Sequence, residues 1–223
     1  MELLLIRHGD PDYPNGTLTP RGHEEAKSLA NFLADVPLAA LFQSPLGRAQ
    51  HTCAYTADIK GITPTTLDWL REAPIKRGDL YLWGAPGSLF LGNDLLPGHT
   101  DWFQENGVMP EGRERFAQVA TEFDELIRSF GYDKQGHLYK VRTPYSGTIA
   151  FFAHAGTILT LLSYLLHWPL PLIFVQARID PTGLTRISME EHDGVAQPTL
   201  MAFNCLTHLP RRRPKTLRIS PAP

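Results

Sequence analysis

Cysteine is scarce in this chain: Cys53 and Cys205 are the only two in 223 residues. Neither belongs to a paired spacing of the kind that holds zinc, and two thiols cannot supply a disulfide framework. A cytoplasmic, reducing setting is therefore the expectation. Membrane-length apolar runs are lacking too. The most apolar stretch, Ile158 to Val175, contains His167, Pro169 and Pro171 and predicts a core helix followed by a loop rather than a span. No basic region precedes a short apolar core at the N-terminus, so no signal peptide is expected. An excess of one charge is also missing. The formal net charge of -2 gives no general attraction to nucleic acid or to an anionic membrane, and any anion site has to be local.

What the chain does have is a repeated alternation of apolar runs and capped helices. Leu3 to Ile6 reads as a buried strand that ends abruptly at Arg7-His8-Gly9. Residues 10 to 18 carry the Asp, Pro, Asn and Gly of a loop. Thr19-Pro20 then predicts a capped helix start, with Ala26, Leu29, Ala30 and Leu33 on one buried face. Leu38 to Gln43 predicts a second strand, and Ser44-Pro45 repeats the cap-then-proline pattern before a helix reaching about Ile59. Two strand-helix units in succession imply parallel pairing.

Thr63 to Leu67 predicts a third strand. Regularity fails from Ala73 to Gly112, where Tyr81, Trp83, Phe90, Trp102 and Phe103 lie among glycines and prolines; this segment is expected to be a lid. A helix from about Arg113 to Phe130, a strand over Thr148 to Phe152, a helix from about Thr157 to His167, and strands near Thr182 to Met189 and Thr199 to Asn204 follow. The length suits one α/β domain over residues 1–209, with the lid as an insertion over about 73–112. Residues 210–223, with Arg211 to Arg213, Lys215 and Arg218, read as a flexible basic tail.

If the ends of the first, second and Thr148 strands adjoin, Arg7, His8, Arg48 and His154 collect with the start of a helix at Ser44. Guanidinium groups fit phosphate oxygens in pairs, and free amides at a helix start add partial positive charge. Cations so close together keep an imidazole neutral, and a neutral imidazole is a nucleophile. His8 is the candidate attacking group, and Glu72, following the third strand, the candidate proton donor.

Arg7-His8-Gly9, Leu18-Thr19-Pro20-Arg21-Gly22, Ser44 with Arg48-Ala49 and Thr52, Leu70 to Glu72, and His154-Ala155-Gly156, in that order, resemble branch 1 of the histidine phosphatase superfamily. The resemblance runs from residue 2 to about 209. It implies the phosphoglycerate mutase-like fold, a three-layer α/β/α sandwich with a mostly parallel central sheet and a loop-rich lid. It implies phosphomonoester hydrolysis through a phosphohistidine on His8, with no metal and no other cofactor. Arg7, Arg48 and His154 would form the phosphate pocket and Glu72 would hold the acid/base position. Arg7, Asn15, Thr19, Arg48 and His154 are the expected substrate-binding set; the family's asparagine six places after the nucleophile is Pro14 here, with Asn15 next.

The resemblance places the expected substrate among small phosphate esters or phosphoproteins, and the chain is expected to be a monomer or homodimer. His23, His51, His99, His137, His167, His192 and His208 lack comparable company, and no zinc site is expected among them. Lys76, Arg77, and Arg113 or Arg115 are candidates to reach an anionic substrate from the lid. Two alternatives stay open at this point: phosphoglycerate mutase-type transfer, and a catalytically weak phospho-ligand or protein-binding module. The mutases' Glu-Arg-His-Tyr-Gly run is absent after Glu72, which argues against the first.

Overall fold

Unbroken apolar strands need cover on both faces, and β1 (Glu2–Arg7) receives it from helices above and below. The computed structural model describes residues 1–77, 80–82 and 110–210. After β1 come a small hairpin of β2 (Pro11–Asp12) and β3 (Thr17–Leu18), then α1 (Pro20–Phe32), β4 (Leu38–Gln43), α2 (Gly47–Lys60) and β5 (Thr65–Thr66). A 3-10 turn over Asp68–Leu70 leads to a hairpin of β6 (Lys76–Arg77) and β7 (Leu80–Tyr81). Then follow α3 (Pro110–Ser129), β8 (Tyr132–Gln135), β9 (Leu138–Val141), β10 (Thr148–Ala153), α4 (Ala155–Leu166), α5 (Leu170–Gln176), β11 (Leu184–His192) and β12 (Val195–Cys205).

The main sheet has the order β5-β4-β10-β1-β11-β12-β9-β8. The four strands from β5 to β1 run parallel, and the other four extend the sheet by antiparallel pairing. Side chains alternate between the faces. Leu4, Ile6, Leu41, Ala150 and Phe152 pack under Leu29, Leu33, Cys53 and Ala57 of the α1 and α2 side. Leu3, Leu5, Ile149 and Phe151 meet Val119 and Phe123 of α3 and Ile158 and Leu162 of α4 on the opposite face. This is the expected α/β/α sandwich. Among the described residues no helix is long and apolar enough to cross a membrane.

Local chemistry explains most element ends, and four features differ from expectation. Thr19 caps α1 as predicted, its hydroxyl accepting from Gly22 N at 3.0 Å with Pro20 in the first helical position. Ser44 does not start a helix: α2 begins at Gly47 behind Leu46, which offers no side-chain cap. Ser44 instead follows β4 directly, its N–H donating to Phe152 O of β10. The loop expected after His167 contains α5, because Pro171 sits in the first helical turn, where its missing N–H costs no bond. The β8–β9 hairpin was not expected, since Tyr132 and Tyr139 are its only buried side chains and Asp133 and Lys134 interrupt any apolar signal. The expected third strand is reduced to two residues. Most of the 73–112 lid, with Trp83, Phe90, Trp102 and Phe103, lies outside the described residues, as does the basic tail from 211.

Candidate active site

His8 leaves the carboxyl end of β1 at the point where parallel sheets of this kind present their ligand sites. It is 1% exposed. Its N–H donates to Ala153 O of β10, and the backbone oxygens of Arg7 and His8 both accept from Thr182 N, at 3.1 and 3.2 Å. Gly9 N donates to Thr52 Oγ1, whose proton goes in turn to Arg48 O. Strand, neighbouring strand and α2 thus hold the ring in one place. Nδ1 lies 2.7 Å from Gly9 O. A carbonyl oxygen only accepts, so the proton is on Nδ1 and the lone pair is on Nε2. Arg48 Nε–H donates to that lone pair at 3.2 Å.

His154 follows β10 directly and is fully buried, its ring centroid 5.1 Å from that of His8. Its Nε2 is 2.8 Å from Ser44 Oγ. Ser44 Oγ accepts from Leu46 N, so its proton is free to go to His154 Nε2, which places the imidazole proton on Nδ1. That Nδ1 is buried and has no partner. A buried donor without an acceptor costs free energy that a ligand oxygen would recover.

Glu72 Oε1 accepts from Ala73 N at 3.1 Å and from Gly156 N at 2.9 Å, tying the segment after the 3-10 turn to the first turn of α4. The approach depends on Gly156. A Cβ there would lie 2.5 Å from Ala73 O and 2.6 Å from Glu72 Oε1, closer than any side chain tolerates. Arg7 is buried and donates through Nη1 to Ile179 O. A cavity of about 440 Å3 opens beside Arg48 and Glu72.

Electrostatics follow from burial and crowding. Burial lowers His8 to about 3, aided by Arg7 and Arg48 and opposed by the bond to Gly9. Burial lowers His154 to about 2, with His8, Arg48 and Arg7 adding to the effect. Glu72 moves the other way: burial raises its carboxyl, against the N–H groups of Ala73 and Gly156 and the charges of Arg48 and Arg7.

These shifts make a stability prediction. In the unfolded chain both imidazoles take up protons below the ordinary 6.5, whereas in the folded chain they stay neutral until about 3 and about 2. The unfolded state then binds more protons, so stability is lost as pH falls from about 6.5 toward those folded values. Urea unfolding should show this decline between pH 6.5 and about 4, and His154→Asn should flatten it. A slope unaltered by the substitution would show that His154 is not buried neutral.

Arg7, His8, Arg48, Glu72 and His154, singled out from the sequence, therefore stand together. Asn15 and Thr19 have other hydrogen-bond partners. Asn15 is exposed and donates to Asp12 Oδ2 across the tip of the β2–β3 hairpin. The Thr19 hydroxyl, besides capping α1, donates to Asp10 Oδ2. Arg115 reaches the back of the site, donating to Trp69 O and Arg71 O, while Lys76 and Arg77 form the β6 edge of its hairpin. The sequence reading missed Ser44 as the partner of His154, and missed Thr182, which adopts a left-handed φ of 56° to point its N–H at β1. No local signal marks either, because each acts on a residue more than a hundred positions away. It also missed Tyr13, whose ring lies 5.4 Å from the Arg48 guanidinium carbon.

Comparison with known proteins agrees with this geometry. A family model described as the histidine phosphatase superfamily, branch 1, matches residues 3–199. A PE-PGRS family protein of Mycobacterium tuberculosis is 29% identical over 204 residues, covering 80% of this chain and 32% of its own length. This chain thus spans about a third of that curated relative. A phosphoserine phosphatase from Entamoeba histolytica, solved with 3-phosphoglyceric acid, superposes with a TM-score of 0.63 at 20% identity, covering 93% of this chain and 98% of that one. A mycobacterial glucosyl-3-phosphoglycerate phosphatase, solved with VO3, gives 0.63 at 21% identity over 91% and 98%. At these identities the two structures show a shared fold.

Proposed function

The chain belongs to branch 1 of the histidine phosphatase superfamily, and from that premise we propose that it is a phosphomonoester hydrolase acting through a phosphohistidine on His8. One observation carries the reading. The bond from Nδ1 to Gly9 O leaves the Nε2 lone pair of a neutral, buried imidazole as the attacking pair, with two guanidinium groups alongside.

On this reading the substrate phosphate takes over the Nε–H of Arg48 that now caps His8. Arg7, Arg48 and His154 Nδ1–H bind the non-bridging oxygens, where charge is held through the transfer. The Nε2–P bond forms as the ester P–O bond breaks, and Glu72 gives its proton to the departing alkoxide. The carboxylate so formed removes a proton from water as that water attacks phosphorus; the P–N bond breaks, phosphate leaves, and Glu72 is protonated again. Burial that raises Glu72 favours the acid form needed at the start. Asn15 and Thr19, bonded elsewhere, are left out of the phosphate pocket.

Small phosphate esters are the substrates we favour, because the pocket is a cleft and the solved neighbours include phosphatases of such esters. Both cysteines are free thiols, Cys53 in the core, which fits a cytoplasmic setting. The test is to trap the intermediate. Protein mixed with a 32P-labelled aryl phosphate and quenched in alkali should retain label that acid then releases, as a phosphoramidate does. Steady hydrolysis with no trapped label under single-turnover conditions would overturn the phosphohistidine step.

A further inference from the structure

We propose that the ester accepted here carries an apolar or aromatic alcohol, and that the wall formed by Tyr13, Pro74, Ile75 and Phe174 selects it. The inference rests on the phosphatase reading above and adds the chemical class of the leaving group. It differs from the carboxylated compounds in the names of the structural neighbours, phosphoserine and phosphoglycerate.

The cavity beside the phosphate pocket is the space a leaving group must occupy, because Arg48 and Glu72 both line it. Its other described walls are uncharged: Tyr13, Pro74, Ile75 and Phe174, with Ala73 and Gly156 between them. Ile75 and Phe174 are each 1% exposed and belong to the main hydrophobic core, so this floor is rigid. Ile75 is held from both sides, its N–H on Ala73 O and its carbonyl accepting from Leu82 N. Tyr13 is different. It is 61% exposed, its ring lies over the Arg48 guanidinium, and it lines the mouth of the cavity.

Charge decides between leaving groups. A phosphoryl dianion engages the cations of this site, and the one remaining charged group on the described lining is Glu72, which is acidic. A carboxylate on the alcohol would leave water for an apolar floor and a carboxyl neighbour, with no cation on the described lining besides the Arg48 that the phosphate engages, an unfavourable transfer. The sequence between Arg77 and Arg113 contains no lysine or arginine. An aryl or alkyl group, in contrast, gains by leaving water for Phe174, Ile75 and Pro74, and can stack on Tyr13.

The test compares esters of alcohols with similar intrinsic reactivity, so that leaving-group acidity does not imitate recognition: 2-phenylethyl phosphate against O-phosphoserine and 3-phosphoglycerate. The kcat/KM for the phenylethyl ester should be higher by about 100-fold, the scale on which apolar pockets discriminate. Tyr13→Ala, a change at an exposed ring, should narrow that ratio about tenfold, mainly by raising KM for the phenylethyl ester. Equal or faster turnover of the carboxylated esters, whether or not Arg77→Ala then removes it, overturns this inference and leaves the phosphatase reading standing. A preference undiminished by Tyr13→Ala overturns the role of this wall. No turnover of any ester removes both readings.

Discussion

Replacing His8 by alanine should lower kcat for every phosphate ester by about 10^4-fold or more, the scale of losing a covalent nucleophile. Among the described residues of the site, neither His154 nor Glu72 can take over. His154 Nε2 accepts from Ser44, its Nδ1 carries the proton, and Glu72 Oε1 is bonded to two backbone amides. Phosphate binding should survive. The cations are Arg7 and Arg48, and Arg48 Nε, which now donates to His8 Nε2, is released by the substitution. Inorganic phosphate or vanadate should therefore bind the variant at least as well as the parent while turnover is lost. Because His8 is buried, His8→Gln serves as a second variant that fills more of the space, and an unchanged far-UV spectrum excludes misfolding. A His8→Ala protein with more than a few per cent of parental kcat would falsify the nucleophile assignment. Loss of phosphate binding together with turnover would instead mean that His8 organises the pocket.

How much of this could be read in advance depends on how far apart the determinants lie. β1 and β10 are continuous apolar strands ended by a polar residue, so both the strand and its functional end are local patterns. The Thr19-Pro20 start of α1 is local in the same way, since cap, proline and first turn are adjacent. The same pattern misled at Ser44-Pro45, because the serine hydroxyl is taken up by Leu46 N and His154, and the latter contact spans 110 positions. The β8–β9 hairpin is invisible for another reason: a four-residue edge strand buries one tyrosine, and Gly136 at φ 59° is its only turn signal. Arg7, His8, Arg48 and His154 were recognisable because they follow strands that the pattern already placed. Glu72 was less so: its place after the third strand suggested it, but its role depends on a 3-10 turn and on the amide of Gly156, and its assignment rests mainly on the family resemblance.

That dependence makes Glu72 the sharpest second test. Glu72→Gln should keep the fold of the site, because an amide oxygen can still accept from Ala73 N and Gly156 N. What it removes is a transferable proton. For an alkyl ester, whose alkoxide cannot leave unprotonated, kcat should fall by about 10^2 to 10^4-fold, the usual contribution of a general acid. 4-Nitrophenyl phosphate needs no proton to expel nitrophenolate, so its first step should persist. The second step, attack of water on the phosphohistidine, still wants a base at this position and should slow. The variant should then release one equivalent of nitrophenolate per site in a rapid burst and turn over slowly after it, with phosphorylated protein accumulating. The pH profile gives an independent check. Burial raises the carboxyl of Glu72, so in the parent the alkyl-ester rate should fall as pH rises through that raised value, where the proton is lost. In Glu72→Gln this alkaline limb should be absent. A variant without a burst, hydrolysing alkyl and nitrophenyl esters at parental rates, would place the proton donor elsewhere. The first place to look would then be the sequence beyond Arg77, which brings Asp79 next after Glu72 among the acidic residues.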